Sequence, residues 1–569
     1  QTERPQEQIK ADASSFFNTG NLSHELKFGA GLREATVDSR TAWGGFGVLL
    51  NGPTQVGTPI NLLAVAREGR PSITTEYTSA YVQDTLTVGN LTANFGLRYD
   101  LQEGTNNAST LPAAPGPFAS VLPSLNTPGG DIGFEWEDVT PRIGLTYALG
   151  AERKTLLRAS YSRFADQLAQ GTAGWLNLAG PSYAYFYADN PGDPNIPLSD
   201  IDFNGGVPVF GFSSNVNPFT GQFVQSNAVA SDLSAPLTDE LLLGIEHALL
   251  PEFVVGVNLT YRQLTNLLES ELLVFDGNAN SAENLTRTGR LHRRSDYIPQ
   301  TVSTRSITEC VPGTDCGPGN TQSRQVPLVL PDGTPYTLNY WVLRPGVSTR
   351  GGAFLENGDR EQEYIGASLV FNKRLANRWM LRGNFSWSDW EWSKVPDSER
   401  ESLNNLLGGG EEEGDPVLQG SGTGSGSKGG IYINSEWSYS VNGLYQVAPD
   451  RPWGFNVALN LNGRQGYPQP YFHLVAPNLA NDDFRTYALQ VTERPDTYRL
   501  DDIHMVDARV EKEFTFSDVG LTLGVDVFNV LNEAYILQQQ HRLAVTSGNH
   551  VREISSPRII RFGARLSFR

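Results

Sequence analysis

Residues 79–100 read SAYVQDTLTVGNLTANFGLRYD. In the second half, Leu91, Ala93, Phe95, Leu97 and Tyr99 alternate with Thr92, Asn94, Gly96, Arg98 and Asp100. A period of two sends successive side chains to opposite faces of a strand, so this segment has one apolar and one polar wall. Only Gly89 and Asn90 separate it from a preceding run that begins near Thr75. A two-residue Gly-Asn link between two such runs signals a tight hairpin.

The pattern recurs along the chain. Trp437, Tyr439, Val441 and Tyr445 oppose Ser438, Ser440, Asn442 and Gln446, and Phe455, Val457, Leu459 and Leu461 oppose Asn456, Asn460, Asn462 and Arg464. Further runs begin near Glu7, His24, Pro141, Thr155, Thr238, Phe253, Tyr364, Trp379, Ile503, Gly520 and Pro557. In the last, Ile560, Phe562, Ala564, Leu566 and Phe568 form the apolar wall, with Arg561, Gly563, Arg565 and Ser567 between them. This makes about fifteen strands, many of ten residues or more, where soluble proteins average ~5–6.

The connections separate the possible architectures. Short links (NTGNLS, GN, GAERK, LPE, ANR, APDRP and SDV) alternate strictly with long ones at 36–72, 101–138, 166–236, 266–360, 391–434, 465–502 and 533–556. Soluble domains rarely keep loops this long. Outer-membrane barrels combine tight periplasmic turns with long extracellular loops. The polar wall favours Asn, Ser, Thr, Gly and Arg, which suits a water-filled lumen. The expected fold is all-β, a transmembrane antiparallel β-barrel in the bacterial outer membrane. The apolar wall of the last strand, including Phe562 and Leu566, is then expected to face lipid.

Composition is compatible with this. The chain has 569 residues with 58 Gly and 34 Pro, and no stretch approaches the ~20 uncharged apolar residues of a membrane helix. Barrel strands need only ~9–11 residues and carry a polar inner face. The net charge of −19 argues against a nucleic-acid partner. The opening QTERPQEQIK has no basic and apolar signal pattern.

Strand parity predicts that residue 1 lies near the extracellular side and the last strand ends on the periplasmic side. An even-stranded barrel keeps both ends periplasmic. Residues 1–569 are therefore expected to be a partial barrel domain, with first strands before residue 1.

Several strands resemble those of TonB-dependent outer-membrane receptors. The hairpin at 79–100 carries that family's Tyr-Val-Gln-Asp strand, tight turn and Gly-Leu-Arg-Tyr-Asp strand. VTPRIGLTYAL (139–149) with TLLRASYSRF (155–164) fits the next hairpin, and LTDELLLGIEHAL (237–249) the one after it. VDVFNVLNEAY (525–535) and SPRIIRFGARLSF (556–568) match the final strands. The long loops and the Pro-Arg-Ile-Ile start of the last strand are similar to the Oar-like subgroup. The resemblance implies a barrel of about 22 strands, a plug domain before residue 1, and a Ton box receiving energy from the TonB complex; neither plug nor Ton box is visible in this chain. Partners implied are outer-membrane lipid, the barrel assembly machinery and a small-molecule, oligosaccharide or peptide ligand. The assembly machinery commonly reads a terminal aromatic, and here Phe568 is followed by Arg569.

No catalytic nucleophile, triad or cofactor box is found, and the seven histidines show no zinc spacing; neither enzyme activity nor a cofactor is expected. Cys310 and Cys316, in the longest connection, read as a small disulfide loop. The acidic run 411–415 lies in a Gly-rich stretch and lacks the regular spacing of a calcium loop. SWSDWEWS (386–393) and GYPQPYF (466–472) place Trp387, Trp390, Trp392, Tyr467 and Tyr471 at strand ends or loop bases. Two readings stand for these rings: a girdle at the lipid–water boundary, or a platform on which a sugar or siderophore stacks. The resulting expectation is a receptor that binds a scarce ligand at its loops and imports it with TonB-derived energy. A passive porin and a secreted soluble β-protein, lectin-like or glycosidase-like, are the alternatives.

Overall fold

The computed structural model describes the chain except residues 45–47, 54–58, 121, 189–200, 203–209, 213–226, 277–285, 311–320, 346, 348–351, 395–417, 420–430, 476–486, 493, 517, 545–547 and 569. Its main element is a seventeen-stranded sheet. Two members, Thr2–Glu3 and Gly130–Asp131, are two-residue segments. The other fifteen are β1 (Gln6–Thr19), β2 (Leu22–Ser39), β3 (Ser72–Val88), β4 (Leu91–Asn106), β5 (Trp136–Leu149), β6 (Thr155–Ala165), β7 (Leu237–Leu250), β8 (Phe253–Thr265), β9 (Glu361–Ala376), β10 (Trp379–Lys394), β11 (Trp437–Val447), β12 (Phe455–Arg464), β13 (Ile503–Phe516), β14 (Val519–Phe528) and β15 (Ile559–Phe568).

Each strand pairs antiparallel with its sequence neighbour from β1 to β15, the arrangement that short hairpins enforce. Among the described residues, the outer edges of β1 and β15 pair with no other long strand, and every described residue of both strands is exposed. All other long strands are paired on both sides.

Register gives the sheet two distinct walls. Phe95, Ile143, Tyr161, Leu241, Tyr261 and Ile365 stand directly opposite one another across β4–β9. This wall leaves large apolar side chains open, including Phe28, Leu97, Leu243, Leu259, Phe385 and Leu523. On the other wall, Ser79, Asp100 and Asp138 form one row, and Arg509, Asp526 and Arg561 another. A sheet this long with its apolar side uncovered fits a solvent of hydrocarbon, not water. No described helix is long and apolar enough to cross a membrane.

At the short-turn end the hairpins are tight and linked to their neighbours. Gly89 takes φ +58° between β3 and β4, a conformation open to glycine at no steric cost. Lys373, only 1% exposed, donates to the carbonyls of Ala376 (3.0 Å), Arg374 (3.2 Å) and Trp379 (3.3 Å), and its ammonium lies 4.3 Å from the Trp379 ring centre. The β9–β10 turn it spans holds Asn377 and Arg378 at positive φ.

At the opposite end the strands run further than their alternation indicates. β2 continues to Ser39, β4 to Asn106 and β10 to Lys394. Pairing with a neighbour sustains them there: Ile73 stands opposite Asn106, and Glu361 opposite Lys394. The long connections also carry small sheets of their own, including Val48–Pro53 with Pro59–Arg67, Tyr297–Val302 with Leu338–Leu343, and Phe472–Val475 with Tyr487–Gln490.

Candidate functional site

The loops pack into two apolar hubs at one end of the sheet. The first unites Ile73, Trp136, Ile132, Phe134, Leu168 and Leu355 with neighbouring loop residues. It draws residues 166–177 over the polar wall of β3–β5. Gln102 donates to the Asp166 carbonyl at 2.9 Å and accepts from the Leu168 amide at 2.8 Å. Asp100 and Gln102 are consequently buried. Arg98 donates to Asp100 at 2.9 Å and to the Tyr77 hydroxyl at 2.9 Å, while Arg33 lies 5.0 Å from the Tyr77 ring centre. This constellation anchors loop to wall.

The second hub joins distant loops. Leu328 and Leu338 pack with Leu489, and Leu330 packs with Tyr471 and Leu543. Tyr498 donates to Asp332 at 2.9 Å. Burial raises the Tyr336 and Tyr471 hydroxyls to about 12, and Tyr432 likewise. His473, 3.5 Å from the Tyr336 hydroxyl, is held below the usual histidine range by burial first and by Arg542 and Arg305 second. The connection 266–360 contributes Leu268 and Leu355 to the first hub and Leu328, Leu330, Tyr336 and Leu338 to the second, so it reaches from one to the other.

Between the hubs, the polar wall of β7–β10 carries a row that register alone assembles. Glu240, Arg262, Tyr364 and Trp390 stand directly opposite one another on four adjacent strands. Arg262 donates to Glu240 through Nε, and its guanidinium lies 5.9 Å from the Tyr364 ring centre. A Cβ at Gly366 would meet the Tyr364 hydroxyl at 2.6 Å, so glycine here lets the ring lie down against the wall. Two residues further along β10, Trp392 stands opposite Gln362 and 5.6 Å from the Arg360 guanidinium. Arg360 is itself paired with Glu269 at 3.2 Å.

The aromatic residues singled out from the sequence therefore separate. Trp387 sits on the apolar wall, 39% exposed, opposite Ala367 and Trp437. Trp390 and Trp392 sit on the polar wall. Tyr467 lies against Arg464, whose guanidinium is 3.5 Å from the ring centre. Tyr471 is 3% exposed inside the second hub, with its hydroxyl 2.8 Å from the Gln469 side-chain oxygen and 3.0 Å from that of Asn549. Sequence reading missed Glu240, Arg262, Tyr364, Arg360 and Glu269. Counting parity from Phe385 would have placed Trp390 and Trp392 opposite Trp387; the partners on other strands needed the register. The Cys310–Cys316 pair and the run 411–415 lie outside the residues whose side chains are described. Among the described residues, no group of three or more His, Cys, Asp or Glu is arranged to hold a metal ion.

A family model described as an outer membrane beta barrel domain matches residues 4–393, more than half of the chain. The chain belongs to this family, and its place is the bacterial outer membrane; the soluble alternative falls. Solved structures to which it is similar include the ferric citrate transporter FecA in its unliganded form (11% identity, TM-score 0.45, covering 100% of this chain and 55% of that one). The ferric-catecholate import receptor Fiu from K12 E. coli (11%, 0.45, 99% and 54%) and the ferric preacinetobactin receptor BauA from Acinetobacter baumannii (14%, 0.41, 99% and 54%) are also similar. The chain spans about half the length of these proteins. No curated protein matches it.

Proposed function

We propose that this chain is the larger part of the barrel of a TonB-dependent outer-membrane receptor, with Oar-like character, that captures a scarce ligand at its loop end and imports it. The observation that carries this reading is the fifteen-strand ladder whose two edges pair with no other long strand among the described residues. An open edge in a membrane leaves a row of backbone N–H and C=O groups without partners, which hydrocarbon cannot supply. A barrel of 22 strands would add about seven between β15 and β1, and a plug would fill a lumen of that width. The loop hubs and the ringed polar wall beneath them support capture at the loop end.

Import would then run by binding at the mouth and rearrangement of the plug by TonB. In this assembly, Ile560, Phe562, Ala564, Leu566 and Phe568 face lipid, and Arg561 and Arg565 face the lumen. No catalytic step is assigned to the chain.

The test is conductance of the full-length protein in planar lipid bilayers, together with crosslinking of the same protein to TonB. A receptor stays closed and crosslinks. A steady open pore without crosslinking identifies a passive porin and overturns the proposal.

A further inference from the structure

The wall at β7–β10 carries one combination of side chains, and the loop residues bordering β9 carry it again beside Trp392. Glu240, Arg262 and Tyr364 make a carboxylate, a guanidinium and a ring in one cluster. Glu269, Arg360 and Trp392 make the same set in the next. Tyr364 is directly opposite Trp390, and Trp392 is the diagonal neighbour, about 7–8 Å away across the strand pair. Rings repeated one step apart along the wall suit a ligand that itself repeats.

The chemistry narrows what repeats. Aromatic faces carry negative potential and attract the C–H side of a ring, while their width favours flat apolar contact. Beside Tyr364, the Glu240 carboxylate offers acceptors and the half-exposed Arg262 guanidinium offers donors in a fixed fork. A pyranose has one C–H face and a rim of hydroxyls that both donate and accept, which matches both demands. An anionic metal chelate calls for uncompensated positive charge, yet Arg262 and Arg360 each sit against a glutamate. A peptide captured by strand addition needs a free edge, and β7–β10 are each paired on both sides.

We propose that this wall is an oligosaccharide platform. Tyr364 and Trp392, with Trp390 between them, stack under successive sugar rings, the Glu240–Arg262 pair hydrogen-bonds the hydroxyl rims, and Arg360, buried against Glu269, backs the Trp392 ring. Gly366 serves the site by letting Tyr364 lie flat. The inference rests on the receptor reading for access to the loop end, but names the ligand class independently of energy coupling.

The experiment uses the full-length protein in detergent against an array of neutral oligosaccharides of varied linkage, then titrates the best binder by tryptophan fluorescence. Ferric citrate and a mixed decapeptide pool are probed in parallel. The expected result is saturable binding of an oligosaccharide, at least tenfold tighter than its monosaccharide. Tyr364→Ala and Trp392→Ala should each weaken it at least tenfold, with Tyr364→Phe close to the parent. Heat-modifiable migration on gels confirms that each variant is folded. Retention of no glycan, equal affinity for monosaccharide and oligomer, or binding unchanged in both alanine variants overturns the proposal; so does binding of only the chelate or the peptides. A closed, TonB-crosslinked protein that binds no glycan would leave the receptor reading standing and remove this one alone.

Discussion

Asp526 on β14 bridges the strands on either side of it: one oxygen accepts from Arg509 of β13 at 2.8 Å, and the other from Arg561 of β15 at 2.9 Å. All three stand in one row of the polar wall. β15 has no described partner beyond, so this row and the backbone ladder to β14 hold the last strand.

Asp526→Ala should therefore loosen β15 more than other strands. Arg509 keeps Glu511 at 2.8 Å, whereas Arg561 loses its acid partner. Both arginines are largely exposed, so each pair contributes about 1 kcal/mol at most. The expected outcome, measured on the full-length protein, is a larger rise in amide exchange over the parent in 559–568 than in 519–528; an equal rise in both strands would contradict the assignment.

The face assignment of β15 has its own test. Phe562 is 79% and Leu566 61% exposed, on the wall opposite Arg565. A lysine facing mid-bilayer costs about 2–4 kcal/mol, so Phe562→Lys and Leu566→Lys should reduce assembled, heat-modifiable protein. Arg565→Lys keeps its charge toward the lumen and should assemble normally. Equal damage from all three would contradict the face assignment.

Lys373 should matter beyond its charge. Removing its ammonium leaves the carbonyls of Arg374, Ala376 and Trp379 without these donors at a buried site. An unsatisfied buried polar group costs about 1–3 kcal/mol. Lys373→Met should lower the thermal unfolding midpoint, while Arg382→Met, a polar-wall change made as a control, should leave the β9–β10 turn intact by amide exchange.

The second loop hub should be acid-sensitive through His473. Its folded pKa lies below the ordinary value of 6.5, so folding favours the neutral ring. That contribution is present above the unfolded pKa and is lost as pH falls from 6.5 through the lower folded value. Amide protection in 472–475 and 487–490, corrected for the intrinsic pH dependence of exchange, should fall between pH 7.5 and pH 5, and His473→Gln should flatten the fall. An unchanged profile in the variant would assign the sensitivity elsewhere.

What could be read from sequence follows from range. The strands were legible because a period of two is a local signal, and Phe95 and Leu97 declare their wall without knowledge of β5. The one-sided loops were legible because GN and LPE are short. The hubs were not: Leu328 meets Leu489 with no periodicity to announce it. The continuation of β10 past Trp390 was hidden because its aromatic run looked like a loop base, and pairing with Glu361–Tyr364 sustains it. The Glu240–Arg262–Tyr364 row depends on registers that no single strand encodes.

The most direct measurement is the intact mass of the natural polypeptide extracted from an outer-membrane fraction. The account predicts a mass well above the 62.3 kDa of these 569 residues, enough to supply the strands that join β15 to β1 and the plug within. A mass near 62.3 kDa would contradict it, because the two edges would then have no partner within the same chain.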